Sequence, residues 1–194
     1  MRKMDASGNL LEFIRQPLYD SELITAALTE LRFFVNPLGS GGKTKAYTNL
    51  ETSAQLSVPK SHLIDGFRFV PTSDIADADQ LTFLRDILWQ DTYIEFTVGG
   101  LKSYLDVPTW YLPAGFGFAG FSELDASAAP AVSRQISNGH PVFGNYFSIK
   151  SHPILIPSQQ TFKFTWRADA ALAAVTTDTR VWVVLEGVNG RETM

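Results

Sequence analysis

Polar and apolar positions alternate most clearly toward the C-terminal end of the chain. Phe162, Phe164 and Trp166 alternate with Lys163, Thr165 and Arg167. A period of two in aromatic and β-branched residues predicts a strand with one buried face. Residues 181–185 are apolar on both faces and lead to Gly187, which predicts a second long strand that closes a sheet near the end of the sequence. The same alternation recurs upstream. Leu31, Phe33 and Val35 predict the first long strand, over 30–35. Phe67 and Phe69 predict an inward face over 63–70, with Arg68 outward and a bulge at Asp65-Gly66. Ile94, Phe96 and Val98 predict a strand over 92–98. Gly99-Gly100 is a tight hairpin signal that returns the chain along 102–107. The shared core expected from this pattern holds Phe33, Phe67, Phe69, Ile94, Phe96, Phe162, Phe164, Val183 and Leu185.

Between these strands the pattern changes. Asp74 can cap a helix over 74–89, with Asp77 and Asp79 near its positive end. Ala78, Leu81, Leu84 and Leu88 supply its apolar stripe. Residues 48–56 read as a weak edge segment and 142–149 as a further strand. The 110–121 segment is a loop rich in aromatics and glycine, and the Ala/Ser-rich 122–139 segment suggests a short helix over 132–136. About eight strands and one inserted helix predict an all-β fold, an antiparallel double-sheet jelly-roll sandwich. The expected organisation is an N-terminal arm over 1–20 and a single jelly-roll domain over 21–194. That length suits one all-β domain.

Composition adds limits. An apolar fraction of 45% and fourteen Phe are enough for a sizeable core that sheet faces accept. The net charge of −4 comes with scattered Lys and Arg. Nucleic-acid affinity grows with the number of phosphates neutralised, so direct genome binding is not expected. Without cysteine there is neither a disulfide framework nor a thiolate zinc site. No apolar run approaches the ~20 residues of a membrane span, and the N-terminus lacks a signal-peptide core.

No candidate chemistry survives comparison with its simpler explanation. His62, His140 and His152 are isolated, without the spacing of a metal pair, and read as ordinary surface or loop histidines. Asp74, Asp77 and Asp79 lack the Gly and Glu of a calcium loop. The 39–44 segment lacks the full phosphate-loop spacing and reads as a flexible surface loop. No Ser sits in a nucleophile elbow. Neither an enzymatic site, a cofactor nor a metal is expected. The aromatic loop could pack on its own domain, meet a neighbouring subunit, or stack against a sugar.

Two stretches carry a resemblance. Ile154-x-Ile156-Pro157 followed by Phe162, then Val181-x-Val183-x-Leu185-x-Gly187 and Arg191, resembles the last two strands of single jelly-roll structural proteins of bacterial viruses. Thr29-Glu30-Leu31-Arg32-Phe33-Phe34, with Lys43-Thr44 and Thr48-Asn49-Leu50, is similar to the opening of such proteins. The resemblance implies a capsid or coat subunit, made in the host cytoplasm and located in the virion, with other copies of itself and other virion proteins as partners. It implies no catalytic residue, and the missing basic arm fits a shell separated from the genome. The apolar residues outside the strand pattern are then the expected subunit interface: Leu10, Leu11, Phe13 and Ile14 in the arm, and Trp110, Tyr111, Phe116, Phe118 and Phe121 in the aromatic loop. The alternative is a carbohydrate-binding β-sandwich, such as a phage fibre or lectin-like module, with Trp110, Tyr111 and Phe116 as a stacking platform.

Overall fold

The computed structural model describes residues 3–4, 10–25, 27–72, 87, 91–100, 102–113, 121–125, 132–136, 144–171 and 179–192. In chain order the described strands are β1 (Lys3–Met4), β2 (Leu10–Arg15), β3 (Leu18–Ile24), β4 (Glu30–Phe33), β5 (Ser61–Thr72), β6 (Thr92–Val98) and β7 (Lys102–Pro108). They continue as β8 (Phe121–Asp125), β9 (Val132–Ile136), β10 (Phe147–Ser148), β11 (Ile154–Ile156), β12 (Phe162–Ala168) and β13 (Thr179–Glu192).

Two antiparallel sheets form a sandwich. The first runs β1-β2-β13-β5-β10, with β3 also on β13 and β11 also on β5. Its axis is the long pair β13–β5, in register from Arg180↔Thr72 to Gly190↔Ser61. One half of β13 pairs with β3 and the other half with β2. The second sheet runs β4-β12-β6-β7. A separate hairpin joins β8 to β9.

The alternation read from the sequence places the core. Phe162, Phe164 and Trp166 on β12 are buried, as are Ile94, Phe96 and Val98 on β6. From the first sheet come Phe67, Phe69, Val181, Val183 and Leu185, so each residue of the expected shared core is buried. Their rings interlock across the layers: Phe67 lies 5.4 Å from Phe96, and Phe33 lies 6.4 Å from Phe69 at 77°. Such edge-to-face pairs add to simple burial. Gly99 and Gly100 both take positive φ, as a two-residue hairpin requires. The bulge expected at Asp65-Gly66 is present: Glu186 faces Gly66 while Gly187 faces Ile64, which leaves Asp65 extra.

Several expectations change. The segment over 132–136 is a strand, not a short helix: β9 pairs with β8 from Phe121↔Ile136 to Asp125↔Val132. Val132 and Ile136 stand four apart, a spacing that suits a helix face, but cross-strand pairing decides. Arg68 does lie on the face opposite Phe67, yet it is buried. The Tyr146 ring covers its guanidinium at 5.2 Å, and its Nε donates to Glu186 at 2.7 Å. Tyr146 can settle there because Gly66 has no side chain; a Cβ would sit 2.3 Å from the ring. Within the 1–20 segment, β2 and the start of β3 are strands of the first sheet, and the expected boundary after Asp20 falls inside β3. The helix expected over 74–89 lies outside the described residues apart from Ile87. Ile87 is helical and fully buried, and its carbonyl accepts from Thr92 Oγ1 at 2.8 Å.

Candidate functional site

The expected interface residues fall at two separate places. Around the first, β7 ends at Pro108 and Thr109–Tyr111 forms one 3-10 turn. Leu112 N–H closes that turn onto the Thr109 carbonyl at 3.2 Å. Thr109 and Leu112 point inward and are buried. That anchoring turns the intervening pair outward, leaving Trp110 51% and Tyr111 47% exposed. Tyr111 packs on Phe147 of β10 at 5.1 Å, and Trp110 meets Tyr111 edge-on at 5.9 Å. These three rings bridge the last strand of the second sheet to the β10 edge of the first. Phe116 and Phe118 lie outside the described residues. Phe121 opens β8, opposite Ile136.

The second place is β2, on the far side of β13 and β5 from β10. Leu10 and Leu11 sit in register with Met4 and Lys3 of β1. Phe13 lies opposite Gly190 and is 37% exposed. Ile14, opposite Asn189, is half-buried and lines a cleft of about 320 Å³ with Leu18, Leu50 and Leu56. The structure therefore does not bring the two expected patches together. It adds a group that the sequence reading placed in no interface. Leu155 pairs with Leu63, and Leu63 with Val188, in one cross-strand row on the outer face. Leu155 is 52% and Leu63 38% exposed. Their signal in the sequence is faint, because each reads as an ordinary member of an apolar strand.

The histidines separate in the structure. His140 lies outside the described residues. His152 is exposed, with Nδ1 3.1 Å from Ser151 Oγ. His62 is fully buried rather than a surface residue. It sits under Gly187, where a Cβ would lie 2.0 Å from the Leu63 carbonyl oxygen and 3.1 Å from the ring. Burial holds its pKa below the ordinary 6.5, against the opposing hydrogen bonds to Asn189 and Leu185. The neutral ring donates from Nε2 to the Leu185 carbonyl at 3.1 Å, and Nδ1 lies 2.7 Å from the Asn189 amide. With Nε2 as donor, Nδ1 is an acceptor, so the amide presents its NH2 to the ring.

That burial has a pH consequence. A folded-state pKa below the unfolded value means the unfolded chain binds the extra proton. The stability due to neutral His62 is present above about pH 6.5 and lost as pH falls through that value toward the folded pKa. Thermal melts from pH 8 to pH 5 should show Tm falling on the acid side. The fall should be smaller in His62→Gln, which keeps a polar group but does not titrate. Equal slopes in both proteins would assign the acid sensitivity elsewhere.

A further polar group was missed by the sequence reading. The 39–43 segment, expected as a flexible surface loop, is pinned. Gly39 N–H donates to the Lys43 carbonyl, Lys43 N–H to Ser40, and Leu38 N–H to Leu50, at 2.8–3.0 Å. Positive φ at Gly41 and Gly42 lets the chain turn back and carry Lys43 inside. Its Nζ reaches Asp20 Oδ1 and Glu22 Oε1, both at 2.6 Å. Asp20 and Lys43 are buried, and Glu22 is half-buried. Nothing in the sequence pattern marks this cluster, since Asp20 and Glu22 occupy inward positions of β3 where apolar residues are expected.

Among the described residues no group of three or more His, Cys, Asp or Glu is placed to hold a metal ion, and no helix is long and apolar enough to cross a membrane. No protein-family model matches the sequence, and neither curated proteins nor solved structures yield a match.

Proposed function

We propose that the chain is a jelly-roll subunit of a viral shell, assembling with other copies of itself. The observation that carries the reading is the strand order. One sheet contains β3-β13-β5-β10 and the other β4-β12-β6-β7. The chain passes from one sheet to the other between β3 and β4, β4 and β5, β5 and β6, β11 and β12, and β12 and β13. Among the described strands from β3 to β7 it stays within one sheet only at the tight β6–β7 hairpin. This interleaving is how a double-sheet jelly roll winds, and capsid proteins are among the proteins that use that architecture.

The surface supports the same reading. Trp110 and Tyr111 project at one edge of the first sheet. Leu63 and Leu155 stand side by side on its outer face, and Phe13 is exposed on β2. Apolar patches on a folded domain mark interaction surfaces. Two different patches suit a head-to-tail contact, in which each copy meets the next and the rotation closes a ring or shell.

Size-exclusion chromatography with light scattering, followed by negative-stain imaging, tests the reading. Closed particles or rings are expected as concentration rises. Leu63→Ser with Leu155→Ser should leave the β-sandwich folded, because exposed substitutions typically change stability by about 0.5 kcal/mol or less, but should abolish particles. Particles that persist in this double variant would remove the outer-face row from the interface.

The exposed Trp110–Tyr111 pair also favours a second reading, a carbohydrate-binding module in which the rings stack on sugar faces. A protein that stays monomeric at high concentration and binds a glycan, with binding lost in Trp110→Ala, would place this reading first.

A further inference from the structure

We infer that Lys43 and Asp20 form an intramolecular amide bond, with Glu22 relaying the protons. Geometry carries this inference. Lys43 Nζ lies 2.6 Å from Asp20 Oδ1 and 2.6 Å from Glu22 Oε1. The other oxygen of the same carboxyl, Asp20 Oδ2, accepts the backbone N–H of Phe34 at 2.5 Å. An amine nucleophile, a carboxyl electrophile, a second carboxylate on the amine and a hydrogen-bond donor on the oxygen that gains charge thus converge at one buried point. A donor fixed in advance where negative charge develops is a recurring device for acyl transfer.

The donor is held in place at a conformational cost. Phe34 adopts φ +63°, a left-handed conformation unusual for a bulky residue. Its ring is buried against Phe162 at 5.3 Å, and its carbonyl accepts from Ala54 N–H at 2.8 Å. Those contacts fix the backbone so that the Phe34 N–H points at Asp20. Non-glycine residues held in such conformations cluster where chemistry is done. The exposed pair Lys60–Glu51 has a comparably short contact, but its side chains are about half exposed to water.

The step balances. A proton passes from the Lys43 ammonium to Asp20 Oδ1. The freed Nζ lone pair attacks Asp20 Cγ, and the carbonyl electrons move onto Oδ2, where the Phe34 N–H stabilises them. Glu22 takes a proton from the now cationic nitrogen. As the carbonyl re-forms at Oδ2, the Cγ–Oδ1 bond breaks, and Glu22 protonates the departing hydroxyl, which leaves as water. Of the three ammonium hydrogens, two end in water and one on the amide, and Glu22 returns to its carboxylate. No oxidant or activated donor is required. Holding the reactants together replaces the activation that a bimolecular amide synthesis would need. The product also removes two charges from the interior, where a buried ion pair carries a large desolvation penalty.

The bond would tie β3 to the Gly-rich turn 23 residues away. Peptide mapping of the purified, denatured full-length chain tests it. Trypsin should yield the 16–32 and 33–45 peptides joined as one branched species, lighter than their sum by one water molecule, with cleavage after Lys43 blocked. Separate peptides of unmodified mass in the wild-type protein would overturn the inference. In Asp20→Asn the same attack would expel ammonia, so the branched species should then be lighter by ammonia. A water loss that persists in that variant would move the bond elsewhere and sink the assignment. Glu22→Gln, checked for β structure by circular dichroism, should give separate peptides. A branched peptide formed as fast as in the wild type would remove Glu22 from the mechanism.

Discussion

Phe164→Ala is expected to lower the unfolding free energy by about 3–5 kcal/mol, the cost typical of deleting a fully buried ring. Phe164 has no exposed surface and lies at the centre of β12. Its cross-strand neighbours are Phe33 on β4 and Phe96 on β6, with centroids at 5.8 and 6.2 Å. Phe67 reaches it from the opposite sheet at 6.5 Å. The backbone around it is hydrogen-bonded to a strand on each side, so the walls of the vacated space cannot easily close. Cavity cost is greatest where relaxation is blocked in this way. Denaturant unfolding, with the midpoint shifting and the slope unchanged, is the measurement. A loss below about 1 kcal/mol would mean that this ring does not sit in the shared core.

Lys43→Met should be comparably damaging for a different reason. The substitution keeps an unbranched apolar stem in the same space but removes the charge. Asp20 is then left fully buried with the Phe34 N–H, and Glu22 loses its partner. Removing one member of a buried ion pair costs about 3–5 kcal/mol, because the remaining charge has no compensation. Where the Lys43–Asp20 amide has formed, the substitution also removes that tie. A second change separates the contributions. Lys43→Met combined with Asp20→Leu and Glu22→Gln leaves no buried charge and should recover much of the loss, since apolar replacements of buried ion pairs are often neutral. If Lys43→Met unfolds at the wild-type midpoint, the cluster contributes nothing to the fold.

These two sites also mark what could be read from the sequence and what could not. Phe164 was legible because its neighbours repeat with period two, a local signal that needs no partner. The same holds for the 92–98 strand, the Gly99-Gly100 turn and the bulge at Asp65-Gly66. Lys43 was illegible because its partners lie on β3, and β3 carries acids at inward positions. Alternation of apolar residues is absent there, so the strand itself went unread. His62 reads from the sequence as a surface or loop residue for a similar reason: its amide partner Asn189 is 127 residues away. The Val132–Ile136 strand suggests a helix in the sequence because its two apolar ends fit a helical spacing, and only pairing with Phe121–Asp125 fixes its type. Of the residues expected at an interface, Trp110, Tyr111 and Phe13 are exposed. The outer-face row of Leu63 and Leu155 could not be found without cross-strand register.

The length of β13 has a kinetic consequence. It pairs with β2, β3 and β5, partners that lie far back in the chain; Arg191 binds Glu12 across 179 residues. Such pairing must close very large loops before it repays their entropy, and folds dominated by it reach the native state in about milliseconds to seconds. Until β13 docks, β3 and β5 each lack a neighbour, and their apolar faces are open. Unpaired edges of that kind invite association with another chain during folding. Refolding yield should therefore fall with rising protein concentration, and substitutions in β13 that slow its docking should deepen that fall even when the folded state they reach is barely changed.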